Sequence, residues 1–148
     1  MIWTIKIECE WGRYIEEECI RTLEIDEGTT LYELHLVIQE LVDFDNDHLF
    51  EFFAGRHFRN RKLLFVEEET WDFDYEGAMA DYEQMPLNKI YPLPKGLKLF
   101  YHFDFGDDWY FKIMRSRKKP KIPENGIEYP QLIESIGQAP KQYPAWDE

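Results

Sequence analysis

His102, Asp104, Asp107 and Asp108 bring an imidazole and three carboxylates into the short stretch HFDFGDD. Hard divalent cations take several such oxygens, and an imidazole adds a transition-metal option. Gathered on one open cleft, with His35 or His48 nearby, these four side chains would serve a metal-dependent hydrolase or nuclease. Their spacing matches no calcium loop, however, and aspartates in turns commonly bond their own backbone amides. The competing reading, which the spacing favours, is a tight turn shaped by Gly106, Asp107 and Asp108, with no cofactor. Asp104-Phe105-Gly106 also spells the magnesium-binding tripeptide of protein kinases. The chain has neither a glycine-rich phosphate loop nor a catalytic His-Arg-Asp to accompany it.

A second candidate chemistry lies in the run KIMRSRKKPK, where Arg115, Arg117, Lys118 and Lys119 could contact phosphate or nucleic acid. The same charges could equally keep a solvated strand end from pairing with other chains. Net charge is −13, which opposes nucleic-acid and membrane binding and favours a basic protein partner. Charge is segregated: Phe65 to Met85 holds eight carboxylates and no Lys or Arg, while Lys112 to Lys121 holds six bases and no acid. Arg56 to Lys62 holds four more Lys and Arg. Nucleophilic catalysis has little to work with, because Ser116 and Ser135 are the only serines and neither stands in a strand-turn-helix elbow. Cys9 and Cys19 are too few for a disulfide framework or a four-thiolate zinc site, and they read as reduced, buried thiols facing each other across a hairpin.

The elements that must position these residues are legible as patterns. WTIKIECEW alternates with period two, and CIRTLEI follows as its partner strand after a polar turn at Gly12. Thr30 and Glu33 form a capping box ahead of a helix whose apolar stripe is Leu31, Leu34, Ile38, Leu41 and Val42. HLFEFFAG and LLFV read as strands around a basic turn. The acidic, aromatic segment 67–83 has no clean period and reads as a long loop with at most a helical turn. Residues 97–113 form a hairpin with Phe103, Phe105, Trp109 and Phe111 inward, tipped by a three-residue loop. PQLIESIG suggests a short helix, with Pro130 in its first turn and Gly137 as its cap. Two strands, a helix and more strands predict an α+β, β-grasp (ubiquitin-like) domain over residues 1–148. Its mixed sheet would carry one main helix, with residues 119–148 as an extended tail packed on it. Chain length suits one core, no apolar run approaches the ~20 residues of a membrane span, and no secretory pattern opens the chain. A cytoplasmic protein is therefore expected.

TLYELHLVIQELV, DHLFEF and YHFDFGDDWYFKI together resemble blocks of the plasmid pRiA4b Orf-three-like family, some of whose members are labelled insertion-element passenger proteins related to TnpR. The resemblance runs from Leu23 to Ile113 and continues through YPQLIESIGQAPKQYPAWD. It implies a compact α+β domain resembling a β-grasp, with the aspartate block in a hairpin, and it brings no catalytic residue or cofactor. Many relatives end in a cysteine-containing segment, whereas this chain has no cysteine after Cys19. No resolvase-like serine and arginine pattern accompanies the TnpR label. The function expected is that of a non-enzymatic protein-interaction module, accessory to a mobile element.

Overall fold

The computed structural model describes residues 1–66, 78–81 and 85–143. The alternating N-terminal segment forms β1 (Ile2–Trp11), which pairs antiparallel with β2 (Ile20–Asp26), Ile5 lying opposite Leu23. Helix α1 (Leu31–Leu41) starts at the capping box. The Glu33 amide donates to Thr30 Oγ1 at 3.2 Å, and the Thr30 amide donates to the Glu33 carboxylate at 3.2 Å. These bonds satisfy two donors that a helix start otherwise leaves orphaned. Beyond α1, Asp43 and Asn46 take left-handed backbone angles that end the helix. The chain continues through β3 (Phe50–Gly55), β4 (Leu63–Val66), β5 (Ala78–Asp81), the single turn α2 (Leu87–Ile90), β6 (Lys98–Phe103), β7 (Trp109–Arg115) and β8 (Gln131–Ile136).

These strands join one sheet in the order β5-β4-β3-β6-β7-β1-β2-β8. Every pairing is antiparallel except β4 with β5 at one edge. The β-grasp expectation is therefore corrected: the protein is mainly β, with two short helices among the described residues. The reason lies in the hairpin. Its tight connection returns β7 antiparallel to β6 and lays it antiparallel against β1, so the parallel central pair of a β-grasp does not form. A second correction concerns PQLIESIG, which is strand β8 and not a helix. It pairs with β2, supplying hydrogen-bond partners that a sheet edge otherwise leaves to water. Gly137 serves a different need from helix capping. Its φ is +75°, and a Cβ there would sit 1.7 Å from the Glu18 carbonyl oxygen. Of the segment 67–83, only β5 lies among the described residues, and it is strand where a loop was expected.

The period of two sorts the sheet into two faces. The inner face buries Trp3, Ile5, Ile7, Leu23, Phe52, Tyr101, Phe103, Trp109 and Phe111 beneath Leu31, Leu34 and Ile38 of α1. On the outer face, the β3–β4 turn lays Phe58 over a smaller cluster of Phe53, Leu64 and Phe100. Gly12 has its own constraint: a Cβ there would meet the Trp109 ring at 2.0 Å, so the turn is held against the core by the absence of a side chain. Cys9 and Cys19 are free, buried and joined by a backbone hydrogen bond of 3.0 Å from Cys9 to Cys19. Burial pushes both thiols above their ordinary range.

Candidate functional site

The hairpin tip is built by aspartates. Asp104 and Asp108 adopt left-handed φ values of 63° and 52°, whereas Gly106 is not left-handed. One Asp104 carboxylate oxygen accepts from the amides of Gly106 at 3.0 Å and Asp107 at 3.1 Å. The Asp108 amide closes the loop on the Asp104 carbonyl at 2.6 Å. Phe103 and Trp109 are the last paired residues, so residues 104–108 form a longer connection than the three-residue loop expected. Phe105 consequently leaves the inner face. It is exposed and stacks on His102 at 4.7 Å between centroids.

The four candidate metal ligands diverge. His102 points to the outer face, where Nε2 meets Asp108 at 2.8 Å and Nδ1 meets Glu51 at 3.3 Å. Asp107 faces Arg13 at 3.5 Å. Asp104 turns its second oxygen to His48, 3.4 Å away. Among the described residues no group of three or more His, Cys, Asp or Glu is placed to hold a metal ion. His102 is itself buried, flat against Tyr110 at 4.2 Å on one side and under Phe105 on the other. Sequence reasoning missed Glu51 and Arg61. Glu51 sits directly across from His102 in the β3–β6 register, and Arg61 donates to it at 2.7 Å from the basic turn. Burial pushes the Glu51 carboxyl up, but bonds from His102 and Arg61 outweigh it and hold the group below its ordinary value. The strand alternation FEFF, with one charged residue among aromatics, was the signal available. The cluster fastens the hairpin tip and the basic turn to the same sheet face.

His35 and His48 lie on the opposite face from His102, both against Phe103. The three histidines therefore do not converge. His35 is buried, stacked on Phe50 with centroids 3.6 Å apart. Its Nε2 donates to the Asn46 side-chain carbonyl at 2.8 Å, so Nδ1 accepts from the Tyr101 hydroxyl at 2.5 Å. Gln39 donates to that hydroxyl at 2.9 Å and accepts from the Asn46 amide at 2.9 Å. Burial drives the His35 imidazole down to about 4, against a smaller upward push from Asn46. His48 meets the Tyr143 hydroxyl at 2.6 Å, and Tyr143 donates to Asp47 at 2.8 Å, which ties the C-terminal segment to the domain.

The basic candidates split. The Arg115 guanidinium lies 3.7 Å from the centroid of the Trp3 ring, while Arg117, Lys118 and Lys119 are exposed. Beside them a groove of about 330 Å³ opens on the outer face, lined in part by Thr4, Lys6, Thr22, Ser116 and Lys118. A second groove, of about 350 Å³ and apolar, runs between α1 and β8, lined by Leu23, Val37, Glu40, Leu41, Pro130 and Leu132. Strand β8 is exposed along its whole length and carries Leu132, Ile133 and Ile136 into solvent.

The fold is a wide, mainly antiparallel sheet with a capped helix on one face, whose polar clusters fasten its own loops. The chain belongs to the plasmid pRiA4b ORF-3-like protein family, whose model matches residues 2–142. The uncharacterized protein y4hQ of Sinorhizobium fredii is 29% identical over 131 residues, covering 87% of this chain. The chain spans 60% of the length of that relative. The crystal structure of a protein of unknown function from Methanosarcina mazei Go1 has the same fold, with a TM-score of 0.70 at 23% identity. That likeness covers 90% of this chain and 68% of the other. Among the described residues no helix is long and apolar enough to cross a membrane.

Proposed function

We propose that the protein is a non-enzymatic interaction module that takes an extended segment of a partner protein onto the free edge of β8. The observation that carries this is the edge itself. β8 ends the sheet, its far side has no strand partner among the described residues, and its apolar side chains are exposed. Natural edges are usually blunted by charge, proline or a covering loop. Here the only charged residue within the strand is Glu134. A strand added to such an edge gains main-chain hydrogen bonds, while an adjoining pocket selects its side chains. The apolar groove beside Leu132 supplies that pocket. Glu40 at its wall, together with the net charge of −13, selects a segment with an apolar centre and basic flanks.

The test is panning of a random-peptide library against the protein and against Leu132→Lys, which puts a charge on the edge strand and into the wall of its groove. The parent should enrich alternating apolar sequences flanked by Lys or Arg, and the variant should lose them. Equal enrichment by both proteins would overturn the reading.

A further inference from the structure

The register draws a row of residues across the outer face near one end of the sheet. Gly55 pairs with Lys98, Leu99 pairs with Ile113 so that Lys98 falls beside Met114, Met114 pairs with Lys6, and Lys6 with Thr22. Side chains of these strand residues point the same way, because they share a rung. The basic β3–β4 turn, with exposed Arg56 and Arg59, leaves the sheet directly after Gly55. At the other end of the rung, exposed Lys118 and Lys6 line the groove with the hydroxyl-bearing Thr4, Thr22 and Ser116. Two basic runs far apart in sequence are thus neighbours at one end of one face. From β3 through β6 and β7 to β1 is three strand spacings, or ~15 Å.

Apart from Glu134, which follows Thr22 on the same rung, the acids of this face are occupied elsewhere. Glu51 is held by Arg61, Glu8 and Glu10 share Lys112, and Glu24 takes Lys121. Arg56, Arg59, Lys98, Lys6 and Lys118 have no carboxylate within 4.0 Å among the described residues. Glu134 is the single carboxylate on the groove wall. The aspartates of the hairpin tip stand beyond the other end of β6, whose six residues span ~20 Å. That exceeds the Debye length of ~8 Å at physiological salt, so the local cations and not the net charge govern what approaches this end.

We propose that this rung binds the phosphodiester backbone of a single-stranded nucleic acid, laid from the Arg56–Arg59 turn to the Lys6–Lys118 groove. A row of cations ~15 Å long can face successive phosphates, which a single small anion would leave mostly unused. Arginine at the turn offers paired donors matched to phosphate oxygens. Hydroxyls in the groove add neutral donors at the far end.

The experiment is fluorescence anisotropy with a labelled oligothymidylate, titrated at several salt concentrations. Binding should weaken with salt along a log–log slope of roughly −0.7 per phosphate contacted. Arg59→Ser with Lys118→Ser should lower affinity at least tenfold and make the slope shallower by about 1.4, two such contacts. Lys141→Ser, remote from the rung, should change neither, and the melting temperature of each variant verifies its fold. Absence of binding at low salt, an unchanged slope in the double variant, or equal binding of a poly-glutamate peptide would each overturn the proposal.

Discussion

Acidification should destabilise this protein through His35 before its carboxylates are reached. In the folded chain burial holds the imidazole at about 4, against an ordinary value of 6.5. The hydrogen bonds explain why the neutral form is required. Nδ1 accepts from the Tyr101 hydroxyl, so a proton there would displace that bond and leave a charge in the core. Between pH 6.5 and 4 the unfolded chain binds a proton that the folded chain refuses. Stability is therefore complete above about pH 6.5 and is lost as pH falls toward 4. The gap of 2.5 between these values, at ~1.4 kcal/mol for each pH unit, makes the loss ~3.5 kcal/mol. Glu51 and Asp47 are held below ordinary values of 4.5 and 3.8, so their losses begin lower on the scale. The assay is urea unfolding at half-unit steps from pH 7.5 to 4.5 for the parent and for His35→Gln. The variant starts less stable, but its stability should fall with pH more shallowly by about one proton's worth of slope. Parallel curves for the two proteins would refute the reasoning.

Gly12→Ala should destabilise by ~1–3 kcal/mol, because its Cβ would overlap the buried Trp109 ring. Gly106→Ala should change stability by less than ~1 kcal/mol, since its backbone is not left-handed and its Cβ would meet only Asp104 at 3.4 Å. Guanidinium melts of both variants rank the two turns, and the opposite order would contradict the assignment of strain. Tyr101→Phe removes the hydroxyl shared by His35 and Gln39 and leaves both buried, at a cost of ~1–3 kcal/mol. It should also raise the His35 titration midpoint, read from its ring proton shifts, because protonated Nδ1 no longer displaces a hydroxyl donor.

Local patterns carried the sequence a long way here. The β1 alternation, the Thr30–Glu33 box, the stripe of α1 and the hairpin strands are one-dimensional signals, since each arises from residues within a turn or a strand of one another. Such signals do not state which strands lie side by side. The chain order of two strands, a helix and further strands suits a β-grasp, yet β7 came to rest antiparallel against β1. The 130–137 segment carries helix punctuation, Pro130 and Gly137, and still became a strand. An unpaired β2 edge and the close approach to Glu18 outweighed that local preference. Site residues followed the same division. Composition pointed to a turn at Gly106, Asp107 and Asp108 but not to Asp104, whose carboxylate takes two of the turn amides, and the parity of each strand position decided that His102 faces away from His35 and His48. Pairing Glu51 with His102, and the two basic runs with one rung, required register, which depends on contacts between residues far apart in sequence. Local pattern was enough to place β1, β2, α1, β3, β4, β6 and β7, but not β5, β8 or the exposed side of Phe105. Tertiary structure alone decided the neighbours, because strand pairing is a long-range choice among edges that all offer the same backbone hydrogen bonds.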